Sequence, residues 1–171
     1  LTDVRVRAGS LPDPFLASLE PGRSVLPRPG RTNVIDFPVA LTTEIEGSVV
    51  ALREEGGNLG PVPGVTVELR NEDGEVIDAQ QTLFDGFFLF VGVFPGTYTI
   101  RLAPENVTSA GLVIPAPRLV PVPLSAEPIL GVQIVTGPPG LILPAPADVK
   151  ITAVNLGTLQ TSESAEASVA I

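Results

Sequence analysis

The sequence predicts an all-β chain organised around an antiparallel β-sandwich. Three observations carry this. Apolar residues alternate with period two in successive short runs, turn dipeptides separate those runs at intervals of roughly ten residues, and no segment of helical period lies between them. Composition agrees. The 19 prolines and 17 glycines among 171 residues argue against a helical protein, while 44% hydrophobic residues and a mean hydropathy of +0.37 argue against a disordered one.

Residues 1–8 and 31–39 read as strands, joined by a stretch (10–30) that carries five prolines. About forty residues do not make a convincing independent core. Residues 1–43 are therefore expected to be the tail of a preceding domain or strands added to the sandwich. From Glu44 to Arg53 the chain alternates, with Ile45, Gly47, Val49 and Ala51 on one face. Residues 54–62 form a loop rich in Gly and charge. Val65, Val67 and Leu69 alternate with Thr66, Glu68 and Arg70, the pattern of a half-buried strand. Asn71-Glu72-Asp73-Gly74 is a turn signal, with Gly74 suited to the positive φ that closes many hairpins. Residues Glu75–Thr82 return, and Phe84–Val93 and Thr97–Leu102 add two strands around the Pro95-Gly96 turn.

The most apolar region, Ala110–Val149, carries nine prolines. Each removes an amide donor, so a continuous membrane-spanning helix of about 20 residues cannot form there. Leu119–Leu124 and Ile129–Val135 are expected as the last sandwich strands, Asp148–Val154 as one more, and residues 157–171 as a weakly ordered tail. A chain that begins at Leu1 and holds no Met reads as a mature form, an excised piece or part of something longer. Its Ala, Val, Pro and Gly bias, with Arg in place of Lys at all basic positions but Lys150, hints at a GC-rich bacterial genome.

Four elements in order resemble a known pattern: Ile45-x-Gly47-x-Val49, Pro63-Gly64-Val65-x-Val67-x-Leu69, Asp85-Gly86-x-Phe88-x-Phe90 and Val93-x-Pro95-Gly96-x-Tyr98-x-Ile100. Together they resemble the carboxypeptidase regulatory-like domain, a transthyretin-like seven-stranded sandwich, over residues 44–103, with later strands out to 136. The resemblance implies a fold and says little of function, because the module occurs in carboxypeptidases, receptors, ushers and surface proteins. It implies that Phe88, Phe90, Tyr98 and Ile100 enter the core. The family more often has an acidic or polar residue where Leu83 stands, which weakens an inherited ion site there. A second resemblance lies upstream. Ser10–Leu16, Arg28-Pro29-Gly30 and Val34–Val39 run straight into the sandwich in an order similar to the C-terminal part of bacterial outer-membrane usher-like proteins.

Composition narrows the chemistry. With no His, Cys, Met or Trp, the chain lacks imidazole bases, thiol nucleophiles, thiolate or imidazole metal ligands and disulfides. A net charge of −9 is the wrong sign for a phosphate-backbone binder. Ser48 has no elbow motif around it and no Ser-x-x-Lys is present. Lys150 and Asn155 fall on one expected strand, which disfavours a crosslink between distant strands. The Asn106-Val107-Thr108 sequon carries no weight in a bacterial chain. No catalytic residue and no cofactor are expected.

Two weak sites remain. Asn71, Asp73 and Glu75 read first as a solvated turn and second as a calcium site, since hard cations accept clustered carboxylates and carbonyls. Phe84, Phe87 and Phe94 are surplus to the core pattern; they read first as packing residues and second as a stacking platform for sugar rings beside the polar loop Glu54–Leu59. The chain thus divides into 1–43, a sandwich at 44–136, and a Pro-rich linker, extra strand and tail at 137–171. The expected role is a non-enzymatic structural or assembly module of a larger bacterial envelope or surface protein, extracytoplasmic and usher-like in context. Its expected partners are proteins met at sheet edges or neighbouring domains of the same chain. The alternative is a carbohydrate- or ligand-binding accessory sandwich.

Overall fold

The structure, a computed structural model, describes residues 1–53, 57, 59–125 and 127–145. Its strands in chain order are β1 (Thr2–Val4), β2 (Leu16–Ser18), β3 (Arg23–Val25), β4 (Val39–Leu41), β5 (Thr43–Leu52), β6 (Leu59–Pro61), β7 (Thr66–Arg70), β8 (Val76–Gln81), β9 (Phe87–Val93), β10 (Gly96–Leu102), β11 (Arg118–Val122) and β12 (Ile129–Thr136), with one helix, α1 (Pro104–Ser109). The protein is a β-sandwich. One sheet runs β11-β10-β7-β8; the other has β5 at its centre, β12 on one side, and β9 and β6 sharing the other. The predicted strands outside the described residues, Asp148–Val154 and the tail at 157–171, receive no structural account.

The alternation read in the sequence becomes the core. Ile45, Val49, Val67, Leu69, Phe88, Phe90, Ile100, Val120 and Val132 are all buried between the sheets, and the Phe88 and Phe90 rings lie 5.6 Å apart in a tilted pair. Tyr98, expected to be largely buried, is instead half-buried at the margin of this cluster. Gly47 is required by contact: a Cβ there would lie 2.5 Å from Cζ of Phe88 and would collide with the Val132 carbonyl oxygen. Gly86 is required by conformation. Its φ of +79° makes the bend that starts β9, and its carbonyl accepts the Val49 N–H at 2.8 Å.

Several boundaries differ from expectation. Residues 31–38 are not a strand; of the apolar run Val34–Val39 only Val39, at the start of β4, belongs to a ladder. The proline-rich stretch before it supplies β2 and β3, and the first forty residues form two ribbons, β1 with β3 and β2 with β4, three residue pairs each. Pro104 at the first helical position and Gly111 with φ +70° just beyond the end set α1, although no helix was expected. The strand expected from Phe84 begins only at Phe87, because Leu83–Gly86 is the turn.

One ladder departs from the antiparallel pattern. β12 runs parallel to β5, from Ile129 opposite Ile45 to Thr136 opposite Ala51. Alternation in a sequence reads the same for either direction of pairing. The consequence is geometric. The first and last strands of the sandwich are neighbours pointing the same way, so the chain enters at one end and leaves at the other.

Candidate functional site

At the entry end lie the start of β5, the turn 71–75, the β9–β10 turn and the loop before β12. The exit end holds the close of β12, the turn 82–86 and α1. Each end is tied by threonine hydroxyls. Thr43, 2% exposed, donates from Oγ1 to the Glu127 carbonyl at 2.6 Å where β5 and β12 begin. Thr136, fully buried, donates from Oγ1 to the Val113 carbonyl at 2.6 Å, while the Val113 N–H reaches the Gly137 carbonyl at 2.8 Å. Buried Thr82 accepts the Val65 N–H at 3.0 Å and donates to the Val62 carbonyl at 2.8 Å. Burying these hydroxyls costs little because both ends of each bond are satisfied.

The sheet edges are defended in different ways. The Val132 carbonyl faces Gly47, so that of Gln133 faces away from β5, and Nη1 of the buried Arg118 donates to it at 3.1 Å. Arg118 thereby closes the seam between β11 and β12. On β8 the Thr82 N–H bonds toward β7, which directs the Ala79 N–H outward; Oδ1 of Asp78 takes that N–H at 2.7 Å. Prolines 117, 121 and 123 line β11. No described strand pairs with the outer edge of β9, where Val91 is exposed.

On the outer face of the β7–β10 pair, Glu68 accepts from Nε of Arg101 at 2.8 Å and from Nε of Arg70 at 3.0 Å. Burial pushes the Glu68 carboxyl up, but the hydrogen bonds and charges of the two guanidinium groups outweigh it and hold the group below its ordinary value. A shallow hollow of about 280 Å3 at the entry end is bounded by Asn71, Glu72, Asp73, Gly96, Thr97 and Tyr98, and burial pushes the Tyr98 hydroxyl upward.

The candidate calcium residues Asn71, Asp73 and Glu75 share one turn. Asn71 accepts the Glu75 N–H on Oδ1 at 2.8 Å and donates from Nδ2 to Oε2 of Glu75 at 3.1 Å, so two of the three spend their side chains on each other. Among the described residues no group of three or more acidic side chains is close enough to hold a metal ion. Phe84, 86% exposed, stands at the tip of the turn 82–86. The tip is fixed by bonds from Gly86 N–H to the Leu83 carbonyl, from Leu83 N–H to the Phe87 carbonyl, and from Phe87 N–H to Oδ1 of Asp85. Phe87 and Phe94 are half-buried at opposite ends of β9, separated by about 20 Å of strand. The three rings are not gathered into one platform. Of the polar loop 54–59, only residue 57 and the backbone of residue 59 are described. Nothing in the sequence pointed to the Arg118 seam, since a buried arginine in a Pro-rich run looks like a surface charge.

The fold and these ties define a β-sandwich module. Residues 43–108 match the family described as BOS complex subunit NOMO1-like, second beta sandwich domain. No curated protein matches the sequence. Among solved structures, the chain is similar to the minor pilin GBS52 of Streptococcus agalactiae, with 19% identity and a TM-score of 0.47, over 61% of this chain and 48% of that one. It is similar to the Bacillus anthracis TIE protein at 17% identity and TM-score 0.43, over 56% of this chain and 17% of that one. It is also similar to the shaft pilin SpaA of Lactobacillus rhamnosus GG, at 12% identity and TM-score 0.40, over 56% of this chain and 48% of that one. The chain spans about half or less of the length of each. Among the described residues no helix is long and apolar enough to cross a membrane.

Proposed function

We propose that residues 44–136 are a non-enzymatic structural module of a larger extracytoplasmic protein, holding the parts of the chain on either side of it at a fixed separation. Residues 1–43 act as the connector from a preceding domain, and 137–171 as the linker onward. The observation that carries this reading is the parallel pairing of β5 with β12, which puts the two attachment points at opposite ends of a tied sandwich. Its partners are neighbouring domains and other proteins, with the outer edge of β9, which no described strand covers, as the place for strand addition. The narrower version is a bacterial envelope protein of usher-like context, supported by the residue order of 10–39; a barrel-type run of alternating strands immediately upstream would support it, and a cytoplasmic enzyme domain there would refute it.

An antibody raised against the chain tests the location. Labelling of intact source cells, or of cells with only the outer membrane opened, supports the reading. Labelling only after the cytoplasmic membrane is broken overturns it.

A second reading, glycan binding, has one observation in its favour: the rigid turn that holds the Phe84 ring in solvent. Retention on a glycan array that Phe84→Ala abolishes would establish it.

A further inference from the structure

We infer that the sandwich is a tension-bearing element, built to resist a pull applied between its entry and exit ends; this rests on the structural reading above and gives it a mechanical content. Tension reaching residue 42 from one side and residue 137 from the other draws β5 and β12 in opposite directions along their shared ladder. Six register pairs, from Ile129 with Ile45 to Thr136 with Ala51, lie side by side across that line of force. They are loaded together and must shear together. When two neighbouring strands are pulled from the same end, the load instead falls on one bond at a time, and the ladder peels.

The surroundings of the ladder reinforce the shear geometry. β5 cannot slide alone, because β9 holds it over Thr43–Ser48 and β6 over Val50–Leu52 on its other side. β12 cannot slide alone either: Arg118 grips the Gln133 carbonyl, and the Val113 segment grips Thr136 and Gly137. The Thr43–Glu127 bond pins the two strands where both begin. Gly47 admits the Phe88 ring and the Val132 carbonyl at the middle of the ladder, so displacement along the strand drives backbone against ring. Ile45, Val49, Val132 and Ile134, each at most 4% exposed, must also leave the core for β5 and β12 to part.

Single-molecule force spectroscopy on the full chain decides the matter. In one geometry the chain is held by its two ends. The ribbons of residues 1–41, with three residue pairs each, open first and leave the sandwich under tension. In the other it is held by its C-terminal end and by a thiol introduced with Phe84→Cys, unique because the chain has no cysteine. Force then enters the sandwich at residues 84 and 137, both at the exit end, and β12 peels from Thr136 backwards. Phe84 is 86% exposed, so the substitution leaves the fold intact. At equal loading rate the end-to-end unfolding force should exceed the peeling force at least about twofold, since forced unfolding reports the barrier along the chosen direction. Equal forces, or a larger peeling force, overturn the inference while leaving the structural module in place; that reading falls instead on the cell-labelling result.

Discussion

Gly47 and Phe88 face each other across the β5–β9 ladder so closely that the ring occupies the place of the missing side chain: Cζ would stand 2.5 Å from a Cβ at position 47. The Val132 carbonyl closes on the same point from β12. Gly47→Ala should therefore force a shift in two neighbouring strands and lower stability by about 2–3 kcal/mol. Gly9→Ala, with open space around its Cβ and no positive φ, should stay within about 0.5 kcal/mol of the parent. Urea midpoints compare the two directly.

Two phenylalanines four positions apart should differ as sharply as the chain allows. Phe88 is 2% exposed and paired with Phe90; Phe84 is 86% exposed. Truncating Phe88 to Ala should cost about 3–5 kcal/mol, and truncating Phe84 about 0.5 kcal/mol or less. Thermal and urea unfolding of the two variants check it.

The pH dependence of stability should carry a contribution from Glu68. Its carboxyl is held below the ordinary value of 4.5 in the folded protein, so the folded state binds fewer protons there than the unfolded chain. The stabilisation is present in full above the unfolded value and is lost as pH falls through the folded one. Glu68→Gln should be less stable than the parent near neutrality by about 1 kcal/mol or less, and the gap should close in acid. Unfolding curves at pH 7 and across the acid range measure the difference.

Thr82 satisfies one backbone donor and one backbone acceptor from the interior. Thr82→Val keeps the shape and strands both groups, for an expected loss of about 2–4 kcal/mol; Thr82→Ser should recover most of it. A Val variant as stable as the parent would show that the hydroxyl adds nothing to the backbone bonds that already join Gly64 and Val65 to Thr82.

The turn at 71–75 is closed by the same oxygens a calcium ion would need. Millimolar calcium should leave the melting temperature unchanged, whereas Asn71→Ala should lower stability by about 1 kcal/mol through loss of the turn's own hydrogen bonds. A calcium-dependent rise in melting temperature that Asn71→Ala removes would establish the ion site.

The strands β5, β7, β9 and β10 were legible because each must bury one face, and burial writes itself as alternation in Ile45–Val49, Val65–Leu69, Phe88–Phe90 and Ile100–Leu102. What pairs with what was less legible. The apolar run Val34–Val39 looks like a strand, yet ladder partners are a tertiary fact, and Pro38 lacks one donor. The six residues of α1 are too short to show a helical period, although Pro104 and Gly111 mark both ends. For the candidate site, the turn residues Asn71, Asp73 and Glu75 are neighbours in sequence and remained so in space. Phe87 and Phe94 are close in sequence and separate in space, because β9 carries them to opposite ends, while Phe84 stands on the turn before it. Arg118 and the threonine ties were invisible, since their acceptors are backbone carbonyls from distant parts of the chain.

A sandwich whose ends coincide can be dropped into a surface loop of a host protein, or cut and rejoined in a new order, with a linker of a few residues. This one cannot. The close of β12 lies a full strand from the start of β5, about 25–30 Å, and about seven or more residues would be needed to bridge it. Its geometry suits concatenation, head behind tail, and a circularly permuted version with a short join should fail to fold.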